Sequence, residues 1–311
     1  MKIEHVEYGK CEVSLYRSYA TPLHGLRPIP ESAFTGRENR LFAVNIAVHV
    51  LGHHVEAAYT EGDNSAVVAT DTMKNFILYQ AQVFAGSTLE GLLRFIAEQF
   101  LATYGDMAGI HIAGDEQPFL AATVPDAEGA LIPSDRLFSR SRGDHGHARL
   151  TVMREDDGPA LTDHQCGRRD LQLIKLTGSS FMNFPRDAHT TLPERQDRPL
   201  FIHLDVYWRY RDGDAVSRQS PVDYVDAAQV RDLVQVVFHE FNSLSIQHLV
   251  HEMGQRILAR FPQLAWLHFE AQNRLWDTAF EANAGATGAG EAKVYCDPRP
   301  PYGHILLTVT P

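Results

Sequence analysis

The sequence predicts an α+β protein in which antiparallel sheets carry pairs of helices on one face. Two observations lead to this fold class. Segments that are rich in β-branched residues, or that alternate apolar with polar residues, flank two pairs of amphipathic helical patterns. The order of strands, helix pair and strands occurs twice along the 311 residues, which suggests a duplicated chain. We therefore expect an N-terminal module over residues 1–145 and a C-terminal module over residues 146–311.

The first half is predicted to begin with strands at 11–16 and 41–50, joined by a proline-rich connector. A short strand is expected at 55–59. A helix is expected from about Asp71, after the polar turn 61–65.

The next helix has the clearest pattern of the first half. Ser87 and Glu90 have the spacing of a capping box. Its apolar residues recur at helical spacing, at Leu89, Leu92, Leu93, Ile96 and Phe100. The segment 114–147 that follows is polar and rich in Arg, Gly and Asp, and it predicts a long loop between the two halves.

The second half repeats this order. Its predicted elements are strands near 148–154, 171–177 and 199–210, helices at about 226–239 and 243–260, and strands at 263–271, 292–296 and 303–309. Residues 282–290 are rich in Ala and Gly and predict a flexible hairpin loop.

Composition excludes several classes of function. The net charge of −11 opposes binding to nucleic acid, because the mean field repels phosphates. No stretch approaches the roughly 18–20 apolar residues of a membrane span, and the N-terminus lacks a signal-peptide pattern. We therefore expect a cytoplasmic protein with no membrane partner. The three cysteines are widely spaced, which is typical neither of a disulfide framework nor of a zinc ribbon.

The chain has 16 histidines, which raises the possibility of a metal site. His248, His251 and Glu252 lie in the wrong order for a helical zinc-protease motif. His145 and His147 would need a third ligand to hold zinc, and they fall in the segment predicted as a loop. Dinucleotide-binding, phosphate-loop and serine-hydrolase patterns are absent, so the sequence indicates no metal and no nucleotide cofactor.

The most informative segment is residues 59–75, Tyr-Thr-Glu-Gly-Asp-Asn-Ser-Ala-Val-Val-Ala-Thr-Asp-Thr-Met-Lys-Asn. It resembles the signature of the urate oxidases (uricases). Other landmarks of that family follow in order, at Tyr8-Gly9-Lys10, 180–187, 190–198, Ile246-Gln247, 270–273 and 298–303. The resemblance covers most of the chain and spares about 20–38, 115–165 and 280–291.

The resemblance implies a fold, an assembly and a chemistry. The fold would be two tandem tunnelling-fold (T-fold) modules, which assemble into a barrel-like homotetramer. The active sites would lie at subunit interfaces, with the Lys and the Thr-Asp pair from one chain and the other groups from the next. The reaction would use urate and O2, with no metal or organic cofactor, and would yield 5-hydroxyisourate and H2O2.

The resemblance also assigns substrate-binding residues. Phe181 would supply a face on which the flat heterocycle stacks. Arg198 would read the edge of the substrate as a rigid two-pronged donor, and Gln247, beside Ile246, would offer both a donor and an acceptor. Asp71 would bond the purine edge or the interface through its backbone or its carboxylate.

Three residues match the catalytic positions of the family. Lys10 would act as the base that removes the hydroxyl proton of Thr70, and Thr70 would relay protons between substrate and solvent. Asn273 would bind O2, and then water, above the ring.

One departure from the family pattern leaves alternatives open. Many uricases carry a His two residues after the Asn, where this chain has Leu275, which cannot relay a proton. The chain could therefore oxidise another purine or azaheterocycle with an altered relay, or bind a purine or pterin without turnover. A zinc-dependent T-fold enzyme that uses His145 and His147 is the last alternative.

Overall fold

A computed structural model describes residues 2–141, 143–216, 221–280 and 293–311. Within these ranges the α+β expectation is confirmed. The strands are β1 (Glu7–Ser18), β2 (Leu41–Leu51), β3 (Gly109–Glu116), β4 (Phe119–Pro125), β5 (Leu131–Arg140), β6 (His145–Glu155), β7 (Gly158–Lys175), β8 (Leu200–Tyr210), β9 (Leu264–Asn273), β10 (Asp277–Phe280), β11 (Val294–Cys296) and β12 (Gly303–Val309). The α-helices are α1 (Glu56–Thr60), α2 (Thr70–Val83), α3 (Leu89–Thr103), α4 (Ala227–Glu240) and α5 (Ile246–Arg260). Short 3-10 helices occupy His53–Val55 and Gly213–Val216.

One antiparallel sheet of eight strands organises the described part of the chain. Its spatial order is β1-β2-β3-β6-β7-β8-β9-β12, so neighbours in the sheet are also successive in the chain once the β4–β5 and β10–β11 pairs are set aside. Two strands, two long helices and two strands occur in each half. The first copy of this order ends with β6 and the second begins with β7. The expected division at 145/146 instead falls at the first residue of β6. The division into two modules stays a prediction.

The long helices cover one face of this sheet. Helices α2 and α3 pack on strands of the first half, and α4 and α5 pack on strands of the second. Alternate strand residues such as Val44, Ile46 and Val48 are fully buried, in the same hydrophobic core as Leu93 and Phe100 of α3. The intervening residues lie on the other face. One row of paired residues across the strands there consists of Asn45, Asp115, His147, Gly167, Tyr207 and His268, and all of them except Gly167 carry a polar group.

Several local expectations are wrong. Residues 55–59 are helical rather than a strand, since only Val55 of that segment is buried. Segment 114–147 is not a long loop, because it holds the end of β3, the β4–β5 hairpin and the start of β6. The cap of α3 is also shifted by one residue. Thr88 accepts the Gly91 N–H, and the buried Glu90 instead accepts a hydrogen bond from the Tyr224 hydroxyl. The predicted loop at 282–290 lies outside the described residues.

In the described part of the chain, no helix combines the length and the apolar character needed to cross a membrane.

Candidate functional site

The predicted base lies on the edge strand β1. Lys10 is half-buried and pairs with Val48 of β2. The register shifts directly after it, where Glu12 has a φ of 58°, so a β-bulge follows Lys10. Gly9 precedes it because β1 and β2 approach closely there. A Cβ on residue 9 would collide with the Val48 carbonyl oxygen and lie 2.5 Å from the His49 ring.

Thr70 and Asp71 are the first two residues of α2, which packs on β1. The helix has no side-chain cap at Ala69, and its first N–H groups have no partner within the helix. The Asp71 carboxylate accepts hydrogen bonds from Lys74 Nζ at 2.5 Å and Asn75 Nδ2 at 3.2 Å. The Lys74 hydrogen bond and charge, with a smaller contribution from the charge of Lys10, lower the pKa of Asp71. Lys10, Thr70 and Asp71 thus form one group, the N-terminal cluster.

Phe181 and Arg198 lie in the loop between β7 and β8. Phe181 and Arg195 exchange two main-chain hydrogen bonds, of 2.8 and 2.9 Å, and the Arg198 N–H donates to the Ser179 carbonyl at 2.9 Å. These bonds fold the loop back on itself and bring the Arg198 guanidinium to 5.4 Å from the centre of the Phe181 ring. The ring of Phe184 stacks on Phe181, with 4.8 Å between the ring centres and an interplanar angle of 16°. The resemblance assigns no role to Phe184.

The start of α5 is tied to the same loop. The Ser180 N–H donates to the Ser243 carbonyl at 2.8 Å, and the hydroxyls of Ser179 and Ser243 lie 3.1 Å apart. Two residues further on, Ser245 caps α5 by accepting the His248 N–H. Ile246 is then buried, and Gln247 in the first turn is exposed.

Asn273 ends β9, between Ile202 of β8 and Gly303 of β12. Its Oδ1 is buried and has no hydrogen-bond partner among the described residues, and the same is true of Arg198 Nε. Burial, followed by the charge of Arg195, lowers the pKa of Arg198. A buried polar atom without a partner costs about 1–3 kcal/mol, so both atoms are suited to a ligand that would satisfy them. Phe181, Arg198, Ile246, Gln247 and Asn273 are termed the C-terminal cluster.

The two clusters lie far apart within one chain. Lys10 is on the edge strand β1, and Asn273 is on β9, six strand spacings away in the sheet order. At about 4.8 Å per spacing this is roughly 29 Å along the sheet. A single chain therefore holds Arg198 beside Phe181 but does not join the N-terminal cluster to Asn273.

In the described contacts, neither Arg274 nor His268 takes the place of a relay histidine. Leu275 itself is 38% exposed. Arg274 packs 3.6 Å from the centre of the Tyr302 ring and donates to Gln272 Oε1 at 2.6 Å. His268 bonds Thr308 and lies five residues from Asn273, about 17 Å along an extended strand.

His145 and His147 lie on β6 rather than in a loop. His147 Nδ1 is 2.7 Å from Asp115 Oδ1, and His145 Nε2 is 3.5 Å from the same oxygen. Burial alone would raise the pKa of Asp115, but the hydrogen bonds and charges of the two histidines outweigh it and lower that pKa. Within residues 2–141, 143–216, 221–280 and 293–311, no group of three or more His, Cys, Asp or Glu side chains is arranged to hold a metal ion.

The fold and the C-terminal cluster together define a class of protein: an α+β chain whose loop between β7 and β8 sets a half-buried guanidinium beside an aromatic ring, and whose strand β9 ends in an amide with an unsatisfied oxygen. Comparison with known proteins makes this class specific. The family model described as uricase matches residues 6–157 and 164–306. The chain belongs to the uricase family.

Individual relatives agree with this assignment. The uricase of Haloferax volcanii is 46% identical over 272 residues, which cover 87% of this chain and 88% of that protein. The uric acid degradation bifunctional protein of Bacillus sp. TB-90 is 44% identical over 97% of this chain, which spans only 60% of that relative's length. The crystal structure of urate oxidase from Bacillus sp. TB-90 superposes with a TM-score of 0.94 at 44% identity, and covers 98% of this chain and 100% of that one.

Proposed function

We propose that the protein is a urate oxidase: urate, O2 and water give 5-hydroxyisourate and H2O2, without a metal or organic cofactor. Membership of the uricase family supports the reaction. The observation that carries the site is the pair of buried atoms without partners, Asn273 Oδ1 and Arg198 Nε, of which the second belongs to the guanidinium beside the Phe181 ring. An acceptor on the edge of a flat heterocycle would satisfy Arg198 Nε, and a water molecule above its ring would satisfy Asn273 Oδ1.

Three side chains hold the substrate in this proposal. Urate stacks against Phe181, and Arg198 donates to its edge from a partly desolvated position, where a charge-assisted hydrogen bond contributes about 1.5–3 kcal/mol. Gln247 projects from the first turn of α5 and supplies a donor and an acceptor that fix the orientation. Ile246 is buried beneath the same turn and holds it in place.

The N-terminal cluster supplies the proton chemistry. Lys10 removes the hydroxyl proton of Thr70, which in turn accepts a proton from the substrate. The free N–H groups at the start of α2, around Thr70 and Asp71, bind an oxygen or nitrogen on the edge of the substrate anion. The anion transfers an electron to O2, the two radicals combine at C5 as a hydroperoxide, and water then displaces H2O2. Asn273 holds O2, and later the water, through its amide.

The two clusters meet across a subunit interface in this proposal. β1 and β12 are the outer strands of the eight-stranded sheet, so each has one neighbouring strand within it. Such edges can pair with a second copy of the chain. We propose two T-fold modules, 1–145 and 146–311, that close into a barrel-like homotetramer in which Lys10, Thr70 and Asp71 of one chain face the C-terminal cluster of the next.

Aerobic urate consumption tests this function. Purified protein is mixed with urate, and the loss of urate absorbance and the release of H2O2 are followed with and without a strong chelator. One H2O2 per urate, at a rate that the chelator does not change, supports cofactorless oxidation. No urate loss, or loss that the chelator abolishes, contradicts it.

The second candidate function is oxidation of another purine or azaheterocycle. Leu275 favours it, because Leu275 occupies the place of the relay histidine. A panel of purines and related azaheterocycles measured in the same assay decides between the two. A kcat/KM for urate above that of every other compound supports urate oxidase. Preference for another heterocycle, together with a gain in urate turnover in Leu275→His, supports the alternative.

A further inference from the structure

Tyr8 joins the two elements of the N-terminal cluster. It lies on β1 two residues before Lys10, so the two side chains point to the same face of the strand. Its ring packs against the hydrophobic core. Its hydroxyl accepts a hydrogen bond of 3.0 Å from the N–H of Val68, two residues before Thr70.

The beginning of α2 depends on such an external contact. Ala69 occupies the N-cap position and offers no side-chain hydrogen bond, unlike Thr88, Asp226 and Ser245, which cap α3, α4 and α5. The segment before Thr70 is exposed at Ala66 and Ala69 and half-buried at Val67 and Val68. The bond from Val68 to Tyr8 therefore fixes the chain where a cap would otherwise do so.

The protonation state of Tyr8 and the close approach of β1 to β2 at Gly9 are both consistent with this contact. A tyrosine hydroxyl is protonated at neutral pH, and burial raises the pKa of Tyr8 further above its usual value. Gly9 lets β1 approach β2 closely enough to hold Tyr8 and Lys10 in register. The three residues Tyr8-Gly9-Lys10 thus have three separate tasks.

We propose that Tyr8 is a positioning residue for the Lys10–Thr70 pair: its hydroxyl holds the Val68 backbone so that the Thr70 hydroxyl lies within reach of the lysine. This inference rests on the proposed function. Tyr8 acts through Val68 and Thr70. A small displacement of a proton-transferring pair lowers the rate of reaction more than the affinity for substrate.

The variant Tyr8→Phe removes the accepting oxygen and keeps the packed ring. We expect kcat for urate to fall about tenfold while KM and the dissociation constant for urate stay within about twofold. Tyr59→Phe is the matched control, because Tyr59 is 58% exposed and its hydroxyl donates to the Glu7 carbonyl of β1 at 3.3 Å, whereas the Val68 N–H donates to Tyr8. The control keeps the wild-type kcat.

A double-mutant cycle with Thr70→Ala separates positioning from general destabilisation. If Tyr8 acts through Thr70, Tyr8→Phe lowers kcat in the wild type but has no further effect in Thr70→Ala. Equal losses in both backgrounds, or a wild-type kcat in Tyr8→Phe, overturn the proposal.

Amide hydrogen exchange gives a readout that does not depend on urate. Exchange at residues 67–73 is expected to be faster in Tyr8→Phe than in the wild type and in Tyr59→Phe, with unchanged exchange in α4. If the wild type fails to oxidise urate, the proposed function fails, and this measurement still decides the role of Tyr8. Unchanged exchange at 67–73 overturns it.

Discussion

Lys10 and Thr70 are the residues on which the proposed proton transfer depends. Replacing either by Ala is expected to lower kcat for urate about a hundredfold, as is typical for loss of a general base or its relay. Urate should still bind, because Phe181 and Arg198 lie in the loop between β7 and β8, away from the substituted residue. Steady-state kinetics and anaerobic urate titration measure the two effects.

Lys2→Ala is the control for this pair, because Lys2 is exposed and precedes β1. It should match the wild type in both measurements. A wild-type kcat in Lys10→Ala or Thr70→Ala would remove that residue from the mechanism.

Arg198 is expected to contribute to binding. Its Nε is buried without a partner, so a substrate that satisfies it gains a charge-assisted hydrogen bond. Arg198→Ala should weaken urate binding by about 1.5–3 kcal/mol, which corresponds to an increase in the dissociation constant of about ten- to a hundredfold. Arg195→Ala is the matched control, since Arg195 contacts Phe181 through its main chain and should change the constant by about twofold at most. Equal affinities of Arg198→Ala and the wild type would exclude the proposed clamp.

Glu90 links stability to pH. It is buried and accepts a hydrogen bond from Tyr224, and burial raises its pKa from 4.5 to about 7. The folded state therefore binds more protons than the unfolded state between these values. The contribution of Glu90 to stability is fully present below about pH 4.5 and is lost as the pH rises through about 7.

Glu90→Gln keeps an acceptor for Tyr224 and has no such dependence. Between pH 5 and pH 8 the free energy of unfolding of the wild type should fall relative to that of Glu90→Gln, by up to about 3 kcal/mol. Urea unfolding at the two pH values measures this difference. A difference between the two proteins that is the same at both pH values would contradict it.

At the scale of elements, the close pairing of β1 with β2 sets the position of the N-terminal cluster. A methyl group at Gly9 would collide with the Val48 carbonyl, so Gly9→Ala must separate the strands. We expect a lower Tm and a lower kcat. Gly105→Ala is the control, because a Cβ there meets no atom within 4 Å, and it should change neither. A wild-type Tm in Gly9→Ala would show that the strands tolerate the added group.

Elements with one buried face could be predicted from the sequence. β2 and α3 bury alternate and helically spaced residues respectively, and those periods are visible in the residue order. The β4–β5 hairpin cannot be predicted in this way, because most of its residues are exposed on both faces and no apolar alternation marks it. The prediction that Glu90 belongs to a capping box is wrong, because Glu90 bonds Tyr224, which is distant in sequence.

The candidate site could be predicted only in part. The residues came from the resemblance to uricases, since spacing alone does not distinguish Arg198 from any other loop arginine. The sequence indicates Tyr8 only by its place two residues before Lys10. Its bond to Val68 could not be predicted, because that bond depends on how α2 packs against β1. The separation of the clusters depends on the strand order of the whole sheet.

At the scale of the whole molecule, the proposed site combines two chains because of that strand order. Lys10 and Asn273 are six strand spacings apart in one sheet, so we propose that the N-terminal cluster of one chain meets the C-terminal cluster of another. Two variants that are each impaired should then complement each other. A mixed oligomer of Lys10→Ala and Arg198→Ala chains contains sites in which both clusters are intact.

The most direct test co-expresses these two variants with different affinity tags, purifies the mixed oligomer over both tags and measures urate turnover. In a random mixture about a quarter of the sites are intact, so at urate concentrations far below KM, where both parent variants are impaired, kcat/KM should recover to about a quarter of the wild-type value. Activity no higher than the average of the two parent variants would contradict the composite site and would place both clusters of each working site within one chain.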